Sequence, residues 1–215
     1  MTKLEFLKYV RNRLNWMGSN ASPSFQDSQI NYILDQAYLL VIANIVKSEN
    51  LEYLTKLTAN LVLSGSKDGR VLSVDNSMDD YLYFINGSVK TSRNGESELE
   101  LPIEVVSIKH YTIFTDVTNK MYYAKPKIFF STLSSTQTAS SALVVTDSYS
   151  RINSPLNLSY VIIPKKFEDM KDDEVPLISE AAHLNIVTKA AELISNTLNP
   201  ASAGNEIVNN DRIAQ

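Results

Sequence analysis

The hydrophobic period changes twice along this chain, and that change limits the fold more than any single residue does. Residues 2–14 and 27–47 repeat apolar side chains at helical spacing. From about Leu51 the texture becomes β-branched and aromatic runs separated by Gly, Asn and Asp turns, and after Pro176 the helical period returns. The pattern predicts an α+β protein: a three-helix bundle made from the N- and C-terminal segments, with an antiparallel β domain inserted between the second and third helices. The expected parts are 1–50 as the first helical part, 51–165 as the β domain, 176–199 as the helix completing the bundle, and 200–215 as an extended tail.

Local signals support this division. Thr2 and Glu5 form a capping box ahead of Leu7, Val10, Leu14 and Met17, Gly18 stops the helix, and Trp16 reads as core packing near its end. In the second helix Ile30, Ile33, Leu34, Ala37, Val41 and Ile45 form one stripe, and Gln29, Asn31, Asp35 and Gln36 fall outside it. The β region predicts a hairpin turning at Asp68-Gly69 and a meander turning at Asn86-Gly87 and Asn94-Gly95, because these dipeptides tolerate the positive φ of tight turns. Further strands are expected at 105–114, 122–133, 142–146 and 158–163, with 131–142 as an exposed loop tip. Val187, Ala190, Ala191, Ile194 and Leu198 line one face of the last helix, which Asn199 and Pro200 terminate.

The stretch "LSYVIIPKKFEDMKDDEVPLISEAAHL" marks the return from strand to helix. Pro164 has no N–H to donate and ends strand pairing, while Pro176 suits the first turn of a helix for the same reason. Between them "EDMKDDE" has neither the alternating ligands nor the glycine of a calcium loop, and reads as a solvated acidic loop.

Chemistry-bearing constellations are scarce. The chain has no cysteine and only two histidines, so disulfides and thiolate metal sites are excluded and no cofactor or metal is expected. His183 reads as a surface or interface histidine in the first turn of the last helix, and His110 as half-buried in a strand. "GSKDGR" lacks phosphate-loop spacing and fits a hairpin better. The net charge of −4 argues against a broad basic nucleic-acid surface. No apolar run approaches the roughly 20 residues of a membrane span, and no signal-peptide layout opens the chain, which reads as soluble and unexported.

Three features taken together resemble a known family. They are the Asp27, Ile30, Ile33, Leu34, Ala37 stripe; "LELPIEVVSIKHYTIF", in which Leu101-Pro102 leads into a strand; and the strand ending in Tyr160 and Pro164, followed by an acidic loop, Pro176 and an alanine-bearing helix. The order resembles the head-to-tail adaptor (connector, tail tubular or ring) proteins of short-tailed bacteriophages, including the rings beneath the portal in crAss-like phages. The resemblance implies a non-enzymatic virion protein of the neck, made in the host cytoplasm. It implies a ring, a dodecamer, contacting the portal ring, neighbouring copies and tail or further ring proteins, with DNA passing through unbound and no membrane involved. It also implies that the C-terminal tail reaches a neighbour, through Ile207, Val208, Arg212 and Ile213.

Two other readings follow from the residues. One is a monomeric β-rich module binding glycans or cell surfaces through exposed Tyr81, Tyr83 and Tyr122. The other is a hydrolase built on separated carboxylates such as Asp80 and Glu104.

Overall fold

A computed structural model describes residues 1–17, 25–64, 66–75, 80–93, 97–106, 125–132, 139–146 and 150–198. The protein is mixed α+β and divides into two compact units. Met1–Leu57 and the described residues from Pro164 onward form one; Thr58–Ile163 forms the other.

The helical unit holds α1 (Lys3–Met17), α2 (Asp27–Lys47) and α3 (Glu180–Leu198), with 3-10 segments at Leu51–Leu57 and Phe167–Asp169. A helix start leaves four backbone donors without intrahelical partners, and α1 satisfies all of its own. Thr2 N–H donates to the Glu5 carboxylate at 2.8 Å and Glu5 N–H to Thr2 Oγ1 at 3.4 Å, closing the expected capping box. Lys3 N–H and Leu4 N–H donate to the carbonyls of Glu174 and Asp172 at 2.9 and 3.1 Å. The buried Lys3 then places its Nζ on the Met170 carbonyl at 2.8 Å. The acidic loop is therefore only half of what its composition suggests. Glu168, Asp169, Asp172 and Asp173 are exposed, but the main chain beneath them caps α1.

Phe167 anchors that loop. Its ring is fully buried, edge-on to Phe6 at 5.2 Å and to Tyr38 at 5.9 Å. Its N–H donates to Asp35 Oδ1 at 2.6 Å. This corrects the expected polar face of α2: Asn31 is buried and Asp35 half-buried, because α2 packs against the loop as well as against α3. The Ile30, Leu34, Ala37, Val41, Ile45 stripe is buried as expected, and so are Val187, Ala190, Ala191 and Ile194 of α3. α3 begins at Glu180 rather than Pro176. Residues 176–179 instead form a turn in which Ile178 N–H donates to the Pro176 carbonyl and Ser179 N–H to the Tyr53 carbonyl. Tyr53 belongs to the 3-10 segment at Leu51–Leu57, where the sequence suggests the β region already beginning.

The β unit has two sheets around one core. The first runs β1 (Thr58–Leu63), β9 (Ser150–Ile162), β4 (Tyr81–Arg93), β5 (Leu99–Pro102), every neighbour antiparallel. The second runs β2 (Ser66–Asp68), β3 (Val71–Asp75), β8 (Ala139–Val145), β7 (Lys127–Thr132), β6 (Glu104–Val105). Both contribute to a core that includes Leu63, Leu72, Val89, Ile128, Val144 and Leu156.

Several expectations need correction here. The β domain is not wholly antiparallel: β6 and β7 pair parallel, with Glu104 opposite Lys127. Their connection through residues 106–126 is long enough for the crossover a parallel pair requires. The hairpin at Gly69 exists, with φ +55° there, but its first arm is Ser66–Asp68; the "LVL" of β1 pairs with β9 in the other sheet. Asn86-Gly87 is no turn. β4 runs through it with local register shifts, and Gly87 serves close approach instead. A Cβ there would lie 2.6 Å from Ile103 Cδ1 and 3.0 Å from the Asn157 carbonyl. β4 and β5 do flank the Asn94-Gly95 position antiparallel, although the turn lies outside the described residues. Ser131, Thr132 and residues 139–142 belong to β7 and β8 rather than to a loop tip. β9 starts at Ser150, through a proline, because the irregular pairing between Thr91↔Ile152 and Val89↔Leu156 accommodates Pro155.

Gly87→Ala should therefore destabilise the protein by about 1–3 kcal/mol, as overpacking against a fixed carbonyl does. Urea unfolding followed by circular dichroism measures it. An unchanged midpoint would show that the Ile103 and Asn157 contacts yield freely.

Candidate interaction site

The structure separates the residues that suggested a family. Leu101 and Pro102 lie on β5, opposite Val89 and Ser88, and Tyr160 is buried on β9. Pro164 and Pro176 are buried in the helical unit. Leu101, Pro102 and Tyr160 thus belong to the β unit, Pro164 and Pro176 to the helical unit. Ile207, Val208, Arg212 and Ile213 lie outside the described residues, as do His110, Tyr122 and the side chain of Trp16.

The carboxylates proposed for hydrolysis hold structural partners. Asp80 accepts a hydrogen bond from the Tyr160 hydroxyl at 2.9 Å; burial first, then this carboxylate, pushes the phenol up to about 12. Glu104 meets Lys127 Nζ at 2.6 Å, and that bond holds its carboxyl below the usual range. Among the described residues no group of three or more His, Asp or Glu could hold a metal ion. Tyr81 and Tyr83 are half-buried, and Tyr81 packs inward, stacking on Phe130 at 4.6 Å and lying 5.7 Å from Tyr160.

The helical unit carries a concave surface. A cavity of about 550 Å³ opens between the second half of α2, the 3-10 segment after it and α3. Val41, Ile45 and Ala182 give it an apolar floor; Asn44 and Asn185 put neutral amides on its rim. The rim charges Lys189 and Glu192 pair with each other at 3.0 Å. A site of this size and mixed lining suits a protein segment or a small neutral ligand better than an ion. The floor was visible in the sequence as part of the α2 stripe. The wall formed by Asn50 and Tyr53 was not, because Tyr53 lies on a 3-10 segment that carries no helical period and Asn50 directly precedes it.

Next to the cavity wall, His183 follows Ala182 on α3 and is only 1 % exposed, which corrects its reading as a surface residue. Its ring meets Phe6 edge-on at 5.3 Å, Nδ1 lies 2.8 Å from the Met1 amine, and Nε2 finds no partner. Burial lowers its pKa below 6.5; the Met1 ammonium and Lys56 add to this, while the Ile178 backbone and Glu180 oppose it. Asp35, in the same unit, is shifted upward by burial in spite of its bond from Phe167.

No family model matches the chain, and no curated protein matches it either. No helix among the described residues is long and apolar enough to cross a membrane.

A lowered histidine pKa makes the folded state bind fewer protons than the unfolded one, so stability is present above the unfolded value and lost as pH falls. The helical unit should therefore weaken as pH falls from about 7 through the ordinary histidine range, while Asp35, shifted upward, contributes with the opposite sign. Urea unfolding at a series of pH values, followed at the helical circular dichroism band, reads this. His183→Phe should flatten the curve in that window, and an equally steep curve in the variant would clear His183 of the effect.

Proposed function

We propose that this chain is a structural subunit of a bacteriophage neck: a three-helix bundle with an inserted β domain, repeated as a ring that joins the portal to tail components around the DNA channel. The observation that supports it most is the division of the chain. Met1–Leu57 and the segment from Pro164 form one compact unit and Thr58–Ile163 another, a division that suits a subunit touching partners above and below. The cavity between α2 and α3 offers a docking surface whose rim charges are already neutralised.

The chemistry fits a conduit. Ring assembly needs a heterologous contact that closes on itself rather than a reactive group. With a net charge of −4 the subunit offers duplex DNA little phosphate affinity, which rises with each Lys or Arg contact. Ile207, Val208, Arg212 and Ile213 would supply a further contact by ordering on a neighbour.

Solution mass, measured for the protein alone and with the portal ring of the same genome, tests the proposal. Many copies should add per portal ring. Filling the cavity rim by Asn185→Trp, or removing residues 205–215, should lower occupancy at least about tenfold, a cost of roughly 1.4 kcal/mol per contact. A protein that stays monomeric and ignores the portal overturns the reading.

A further inference from the structure

The cavity between α2 and α3 runs along α3 toward the point where the chain leaves the bundle. Ser48, Asn50 and Tyr53 line its end beside the start of α3, where the Tyr53 carbonyl takes the Ser179 N–H at 3.0 Å. Glu192 lines the other end, about 9 Å along the helix from Leu198, where α3 stops. The floor is apolar, and the exposed Asn44 and Asn185 stand on the rim. Each carboxamide offers a donor and an acceptor, the two functions that a peptide main chain also presents. Lys189 and Glu192 neutralise each other, so the lining selects no ion.

Beyond Leu198 the sequence reads "NPASAGNEIVNNDRIAQ". Asn199-Pro200 favours a turn, and Gly204 permits a second change of direction. A chain that reverses within residues 199–203 and returns extended along α3 carries Ile207 and Val208 about 15 Å back, at roughly 3.3 Å per residue. Thr188 and Lys189 of the cavity lining lie about 15 Å back from Leu198, at roughly 1.5 Å per helical residue. The two levels coincide. Successive side chains of an extended segment face opposite ways, so one of two adjacent apolar residues meets the floor. Asn209 and Asn210 then reach the level of Asn185. Glu206 comes within reach of Lys189, which Glu192 already holds, so the fit depends on the apolar contact and the amides rather than on charge.

We propose that the cavity is the seat of this chain's own C-terminal segment: Ile207-Val208 lies on the floor of Val41, Ile45 and Ala182 in the same copy, its main chain held by Asn44 and Asn185. Tethering favours this occupant over an unrelated peptide, because a short linker holds the segment at an effective concentration on the order of millimolar. An apolar contact this small needs that advantage. The seat itself requires no portal. In a ring, the identical segment of the next copy replaces it with no change of contacts, a swap that links copies by a heterologous contact. That step rests on the ring reading above. The cavity and the tail are then two halves of one contact, which is why losing either should lower portal occupancy alike.

The chain has no cysteine, so two introduced ones report the contact. Asn185→Cys/Asn209→Cys and Asn185→Cys/Asn210→Cys variants of the full chain are oxidised in dilute solution, alone and with the portal ring, and resolved on non-reducing gels. In the reference pairs Leu184→Cys, at a position 56 % exposed and outside the cavity lining, replaces Asn185→Cys. Alone, at least one cavity pair should close within a single chain at least tenfold faster than its reference pair. Amide exchange at Ile207 and Val208 should be slowed at least tenfold in the unmodified chain, and Asn185→Trp should abolish that protection while leaving the circular dichroism spectrum unchanged. Equal closure rates, absent protection, or disulfides formed only between chains overturn the seat. With the portal present, the cavity pair should instead give a ladder of linked chains. A ring whose disulfides stay within each chain overturns the swap and leaves seat and ring standing. Closure in the free chain with no ring on the portal overturns the ring reading alone.

Discussion

The fold depends on one strand. β9 pairs with β1 on one side and β4 on the other, and places Ile152, Leu156, Leu158 and Tyr160 in the core of the β unit. A strand hydrogen-bonded along both edges has little freedom to slip, because a one-residue shift would turn those four residues out toward solvent. Its exit is equally constrained. Pairing in β9 stops at Ile162, Ile163 N–H is taken by the Asp80 carbonyl at 2.7 Å, and Pro164, which has no N–H to satisfy, begins the segment that belongs to the helical unit.

In the helical unit the corresponding constraint is the start of α1. Its donors need acceptors, and the acidic loop supplies carbonyls only because Phe167 is wedged between Phe6 and Tyr38. Burying Asp35 to hold the Phe167 N–H, and His183 beside Phe6, adds polar groups to the apolar core. Their shifted pKa values have a common origin: each sits where its charged form is poorly solvated, the carboxyl rising and the imidazole falling. The stability of this unit is thus tied to the protonation of groups that a hydropathy profile counts as surface.

What the sequence showed was whatever repeats. The α2 and α3 stripes, the Thr2–Glu5 cap, the hairpin at Gly69 and the mixed α+β class all rest on side chains recurring at a period or on a residue type with one dominant use. What it hid is carried by main chain or by context. Asn86-Gly87 has the composition of a tight turn, but Ile103 and Asn157 crowd that glycine inside a long strand. The carbonyls of Asp172 and Glu174 would cap α1 with almost any side chains on those residues. Asn31 and His183 looked exposed because helical spacing marks one stripe, while these helices bury more than one side. Of the candidate site, the apolar floor was readable and the wall formed by Asn50 and Tyr53 was not; the tail residues remain a reading of sequence alone.

The same distinction applies to the surfaces through which the protein would meet its neighbours. An edge strand contributes backbone donors and acceptors, and the side chains need only avoid charge, proline and the wrong face. That is a weak demand on identity and a strong one on pattern. β1 meets it with six uncharged residues, whereas β5 is four residues long and carries Glu100 and Pro102. A subunit that assembles through main chain can hold its ring geometry while most of its side chains change. Its function would then be recorded in the order and polarity of its elements more than in any particular residue.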